Sequence, residues 1–162
     1  MKRSIELNYK LIIFDVDGTL VTTKSGATFR KTADDWQWLP GRKEKLLQLE
    51  KEGIQTALAS NQGGVAFGYF SHASIIHELY NLVDEANIGC VRWCETHPNA
   101  PIQEYRVDSN RRKPGPGMLD EIIKYFDMSK PDTLMVGDRP EDEQAAQNAG
   151  VAYMDAETFF SS

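Results

Sequence analysis

Cysteine is scarce in this chain, with two in 162 residues, Cys90 and Cys94. Two thiols give no disulfide framework, and they suit a reducing compartment. Long hydrophobic runs are also missing. None approaches the roughly 20 residues that a helical membrane span needs, so no membrane role is expected. The opening stretch "MKRSIELNYKLIIFDVDGTL" has no small-residue cleavage site, and its apolar run is broken by two aspartates. That pattern argues against a secretory signal and predicts a cytoplasmic protein. Repeats, linkers and low-complexity tracts are absent, so one domain over residues 1–162 is expected, long enough for a single solid core. Positive charge is nearly lacking from Pro131 onward, where seven acidic residues stand against one arginine and account for the whole net charge of −6. The first 130 residues carry 17 of each sign. Such a balance neither demands nor excludes a polyanionic substrate.

What is present alternates. Five apolar, β-rich runs, "YKLIIFD", "IQTALAS", "IGCVRW", "DTLMVGD" and "VAYMD", are separated by stretches of helical period. "GRKEKLLQLEKEG" places Leu46, Leu47 and Leu49 within about one turn and stops on Gly53. "SHASIIHELYNLVDEAN" sets Ile76, Tyr80 and Val83 as an apolar stripe. "GPGMLDEIIKYFDM" and "EDEQAAQNAG" read as two further helices, and "AETFFSS" as a short last one. Strands alternating with helices predict an α/β fold: a doubly wound, mostly parallel, five-stranded sheet. Functional groups in such sheets gather at the C-terminal ends of the strands. Here those ends carry Asp15, Ser60 and Gly137-Asp138. Thr22 to Pro40 has no clear period and reads as a flap or short hairpin beside them.

The chemistry follows from residue types. A carboxylate at Asp15 can attack phosphorus and split one displacement into two easier ones. Asp17, two residues on, points the same way in extended chain. It could protonate the leaving oxygen and later activate water. Gly18 permits a sharp turn and Thr19 could tie it down. Clustered carboxylates facing a phosphate need a hard cation, and Mg²⁺ suits them. Asp138 and Asp142 in "GDRPED" add two more acids. Ser60 and Asn61 offer a hydroxyl and an amide to phosphoryl oxygens, and Lys113 in "RRKPGPGM" offers positive charge.

"DVDGTL", "SN", "K" and "GDRPED", in this order, resemble the four defining segments of haloacid dehalogenase (HAD) superfamily phosphatases. The likeness runs from about Lys10 to the end. It implies a HAD-like Rossmannoid sheet, Asp15 as nucleophile and Asp17 as acid/base. It further implies that Ser60 and Lys113, with Asn61 close by, bind the phosphoryl group. Asp15, Asp138 and the backbone carbonyl of Asp17 would hold Mg²⁺, with Asp142 as ligand or support. The Asp17–Ser60 and Ser60–Lys113 intervals leave no room for a large cap domain. "TTKSGATF" followed by "DDW", together with "RRKPGPGM" and "ETFF", is similar to the polynucleotide kinase 3′-phosphatase family. "SNQGGVAFGYF" and "GDRPEDEQAAQNAG" are similar to histidinol-phosphate and heptose-bisphosphate phosphatases as well. Those relatives read Asp-Arg-Asp where this chain has Val16, and carry a zinc loop whose first His is replaced here by Thr96. "DSNRRKP" contains none of that loop's cysteines. The expected reaction is phosphomonoester hydrolysis through an aspartyl-phosphate. A nucleic-acid 3′ end is the leading substrate, a small metabolite phosphate the alternative, and a silent binding module of the same fold the last.

Other candidates fill supporting roles. Arg111 and Arg112 precede the motif lysine and could meet a second phosphate or a backbone; one of the two is expected to be solvated, and Arg112 is the candidate substrate contact. Cys90, Cys94 and His97 have plausible zinc spacing but no evident fourth ligand, so zinc is not expected. His72 and His77 read as surface residues. Phe29, Trp36 and Trp38 in the flap are expected to pin it to the core, although aromatic side chains there could also stack on bases.

Overall fold

The computed structural model describes residues 8–161. Strands β1 (Leu11–Phe14), β4 (Gln55–Asn61), β5 (Cys90–Cys94), β6 (Thr133–Gly137) and β7 (Ala152–Asp155) form one sheet in the order β5-β4-β1-β6-β7. All four neighbouring pairs are parallel, with Phe14 opposite Leu58 on one side and Val136 on the other. The five apolar runs of the sequence are these five strands. Central strands buried on both faces read as continuous apolar stretches, which is why Leu11–Phe14 shows no polar alternation.

Side-chain alternation divides the core by face. Ile12 and Phe14 point to one side, with helices α1 (Arg42–Lys51), α2 (His72–Ala86) and α5 (Ala156–Ser161). Leu11 and Ile13 point to the other, with α3 (Gly117–Tyr125) and α4 (Pro140–Ala149). Asp15 follows by the same parity at the end of β1. The terminal "ETFF" is anchored by Phe159, which is buried and meets Phe14 edge-on at 5.6 Å. The flanking Phe160 lies under the Arg42 guanidinium at 4.2 Å.

Two details differ from the sequence pattern. The buried stripe of α2 is Ile75, Leu79, Leu82 and Ala86, one residue off the expected Ile76, Tyr80 and Val83. Tyr80 is instead exposed over the sheet's edge strand, with its ring 6.5 Å from Trp93. In α1 the buried leucines are Leu46 and Leu49, with Leu47 only partly covered.

Residues 21–38 form the expected hairpin. Its stem is β2 (Val21–Thr22) paired antiparallel with β3 (Gln37–Trp38). Among the described residues, no helix is long and apolar enough to cross a membrane.

Candidate active site

The ends of β1, β4 and β6 bring Asp15, Ser60 and Asp138 to one end of the sheet, as the strand-end rule requires. Lys113 comes from the loop before α3, and its ammonium group ties the centre together. Nζ donates to Asp15 Oδ1 at 2.7 Å, to Asp142 Oδ1 at 2.6 Å and to the Ala59 carbonyl at 2.8 Å. All three donors are therefore engaged, in a group only 3% exposed. Burial pushes the Asp15 carboxyl up to about 8; Lys113 pulls against that and Asp142 adds to it. The Lys113 ammonium is held up by the two carboxylates, Asp15 first, against its own burial.

Asp142 is buried at the start of α4. Its Oδ2 accepts from the amides of Asp138 and Arg139 at 3.2 and 3.1 Å while Oδ1 takes Lys113. It acts here as a helix-start acceptor and as counter-charge to the lysine. One oxygen each of Asp15, Asp138 and Asp142 lies within 4.8 Å of the others. That all-oxygen donor set, with Thr19 Oγ1 donating to Asp138 Oδ1 at 3.1 Å, fits a hard divalent cation. The Asp17 carboxylate is outside this group. Its Oδ1 accepts from Arg30 Nε at 2.7 Å and its Oδ2 from Gln62 Nε2 at 3.0 Å.

Asn61 clasps the lysine loop. Its Oδ1 accepts from the Lys113 amide at 3.0 Å and its Nδ2 donates to the Lys113 carbonyl at 3.1 Å. Ser60 is buried and accepts from Gln62 Nε2 at 2.8 Å. Arg112 is half-buried, with its side chain hydrogen-bonded to the Thr96 carbonyl at 3.5 Å and Glu141 acting on it at longer range. Arg111 pairs with Glu121 and donates to the Trp93 carbonyl, so it is committed away from the cavity.

The flap is a designed wall rather than a loose loop. Asp35 organises it, accepting from the Ser25 amide at 2.9 Å, the Ser25 hydroxyl at 2.7 Å and the Lys31 amide at 3.0 Å. Those bonds, the Lys31 amide foremost, hold its carboxyl near 2. Trp36 and Trp38 fasten the base of the flap to α2 through Glu78 and Glu85, as the core reading expects. Phe29 departs from that reading. It is 68% exposed on the rim, with the Arg139 guanidinium 5.9 Å from its ring. At the tip of a hairpin folded over the site, it has no core surface to reach.

Flap, lysine loop, residues 61–70 and the start of α4 line a partly open cavity of about 690 Å³ that reaches Asp15 and Asp17. Sequence reasoning missed two side chains there, Arg30 and Gln62. The "SNQ" triplet was a usable signal for Gln62, since it follows the strand-end pair directly. Arg30 had none, because its contact to Asp17 exists only once the hairpin folds back. Of the zinc candidates, Cys94 sits 3.3 Å from the Thr96 hydroxyl and the His97 ring packs edge-on against Phe67.

Gly18 is required by geometry. Its φ is +87°, and a Cβ there would lie 2.3 Å from Asp138 Oδ2. Gly18→Ala is therefore expected to cost about 1–2 kcal/mol from the backbone alone, with a further loss from displacing Asp138. A thermal melt should show a drop of several degrees, and an unchanged midpoint would refute the close approach.

The family described as polynucleotide kinase 3 phosphatase matches residues 10–160. D-glycero-beta-D-manno-heptose-1,7-bisphosphate 7-phosphatase of Rhodopseudomonas palustris is 33% identical over 125 residues, which is 74% of this chain and 69% of that protein. The enzyme of the same name from Pseudomonas putida is 34% identical over 146 residues, 87% of this chain and 78% of that one. Among solved structures, D,D-heptose 1,7-bisphosphate phosphatase from B. bronchiseptica, complexed with magnesium and phosphate, superposes with a TM-score of 0.72 at 30% identity. It covers 89% of this chain and 78% of its own.

Proposed function

The chain belongs to the polynucleotide kinase 3 phosphatase family, within the cap-less phosphatases of the HAD superfamily, and from that premise we propose that this phosphomonoester hydrolase is a Mg²⁺-dependent sugar-phosphate phosphatase. The observation that carries the substrate class is the walled cavity. At about 690 Å³ it has the size of a small-molecule site. Arg112, which makes no ion pair with a carboxylate among the described residues and feels Glu141 only at longer range, stands next to Lys113 on the cavity wall and would receive a second anionic group. A nucleic-acid groove would instead want a basic stripe along a surface, whereas the segment from Pro131 onward, which supplies β6 and α4, is acidic. The curated relatives, named for a heptose bisphosphate, support the same choice. The preference for a polynucleotide end drawn from the flap motifs is reversed accordingly.

In this reading an Asp15 oxygen attacks phosphorus as the bond to the ester oxygen breaks, and Asp17 donates a proton to that oxygen. Asp17 then takes a proton from water, which attacks the aspartyl-phosphate, freeing phosphate and regenerating Asp15. Mg²⁺, held by Asp15, Asp138 and the Asp17 backbone carbonyl, would neutralise phosphoryl oxygens and favour ionised Asp15. Lys113 keeps the Asp15–Asp142 pair compatible with burial, and Ser60 and Asn61 maintain the phosphoryl end of the cavity.

The test is phosphate release from D-glycero-beta-D-manno-heptose 1,7-bisphosphate, hexose phosphates and a 3′-phosphorylated oligonucleotide, each with Mg²⁺ and with EDTA. A kcat/KM at least about tenfold higher for a sugar phosphate, abolished by EDTA, is expected. The opposite order would assign the site to nucleic-acid ends and give the exposed Phe29 a stacking role. No release from any ester would overturn the activity.

A further inference from the structure

The flap contains two buried charges, Asp35, which ties its backbone together, and Arg30, which the phosphoryl transfer leaves without a role. Arg30 has a side chain only 4% exposed, although its neighbours Phe29 and Lys31 are exposed. Its Nε donates to Asp17 Oδ1 at 2.7 Å and its Nη1 to the Ala33 carbonyl at 2.9 Å. Its Nη2 is buried without a hydrogen-bond partner among the described residues. Leaving a guanidinium donor unsatisfied is unfavourable, and an arginine placed only to stabilise the hairpin would have no reason to reach across to a half-exposed carboxylate. The reach is instead enforced from both ends. Asp35 ties Ser25 and Lys31 on either side of Arg30, and Trp36 fastens the adjoining chain to α2. On the far side of Asp17, Gln62 holds the other oxygen and is itself anchored on Ser60.

We propose that Arg30 is a positioning residue for proton transfer, fixing Asp17 in the rotamer that meets the ester oxygen and thereby making the flap part of the catalytic apparatus. This rests on the phosphatase reading above. Each Asp17 oxygen keeps a second lone-pair site, so the two clamping bonds leave room for the proton that passes to the leaving oxygen as the phosphorus–ester bond breaks and the phosphorus–Asp15 bond forms. A flap that did not close would leave Asp17 held by Gln62 alone, and the transfer would lose its geometry.

A leaving-group comparison isolates this role. 4-Nitrophenolate departs without a proton, whereas the alkoxide of a sugar or nucleotide ester does not. Single-turnover rates would be measured for Arg30→Met and Arg30→Lys on 4-nitrophenyl phosphate. The alkyl ester would be whichever of heptose bisphosphate and 3′-phosphorylated oligonucleotide the parent enzyme hydrolyses. For Arg30→Met the expected result is a loss of about tenfold to a hundredfold on the alkyl ester, with nitrophenolate release in the first turnover within threefold of the parent. Arg30→Lys, which keeps a charged donor, should recover part of the loss. Equal losses on both esters would show that Arg30 only supports the fold or substrate binding, and no loss on either would remove it from the reaction. Parent enzyme inactive on both esters would overturn the phosphatase reading and the role of Arg30 with it. Activity confined to the oligonucleotide would overturn the sugar-phosphate assignment alone.

Discussion

Asp15→Asn is expected to yield a folded protein whose turnover is at least about 10⁴-fold below the parent, the scale on which loss of a nucleophile is felt. Asparagine has nearly the same shape, and its carbonyl oxygen can still accept from Lys113, which keeps Asp142 as its charged partner. The loss should therefore fall on kcat and leave KM little changed. The same variant carries a second signature. A carboxyl raised from 3.8 to about 8 by burial resists ionising in the folded chain, while the unfolded chain releases that proton near its ordinary value. Without metal, the parent should lose stability as pH climbs from about 4 to 8, and asparagine removes that loss. Melts in EDTA should accordingly show the variant gaining on the parent from pH 5 to pH 8. Full turnover by Asp15→Asn would refute the nucleophile, and a stability gap independent of pH would refute the raised carboxyl.

The sheet was legible because its strands are buried on both faces. Runs such as Leu11–Phe14 leave no polar alternative, and the intervening Gly53 and Gly150 stop their helices where the pattern indicates, at φ +83° and +77°. Periodicity placed α2 but chose the wrong side of it. Tyr80 looks like a core residue by type, yet its stem covers Trp93 at the sheet edge, and such partial coverage leaves no trace in spacing. At the site, strand ends and the motif lysine announced the residues that converge on Asp15. What each side chain does there was less visible. Asn61 carries the right amide for a phosphate, but its partner is the Lys113 backbone 52 residues away. Asp142 is by type a ligand or a support, and only the start of α4 folded beside Lys113 shows that its oxygens also accept from that lysine and from two backbone amides. Arg30 was the least accessible, since its contact with Asp17 depends on tertiary closure of the flap.

Lys113→Met should show its largest effect in stability. Methionine fills most of the volume with a flexible apolar chain, but it leaves Asp15 and Asp142 buried without the cation between them. Removing one partner from a buried charge network costs about 3–5 kcal/mol, large against the 5–15 kcal/mol that holds a typical domain together. The cost has a sign in pH. Two facing carboxylates can share relief from a single proton, so the folded variant will hold protons that its unfolded chain releases. Its deficit should then be greatest near pH 8 and shrink toward pH 5. Adding Asp142→Asn removes one of the two acids, and the amide oxygen can still accept from the Asp138 or Arg139 backbone. The double variant should recover much of the stability at pH 8 while its turnover stays about 10²–10³-fold low, because the positive charge beside the phosphoryl group is still missing. Urea unfolding at pH 5 and pH 8, with phosphate release measured on the same samples, separates the two consequences. A deficit equal at both pH values would mean that Lys113 serves the fold by its volume and not by its charge.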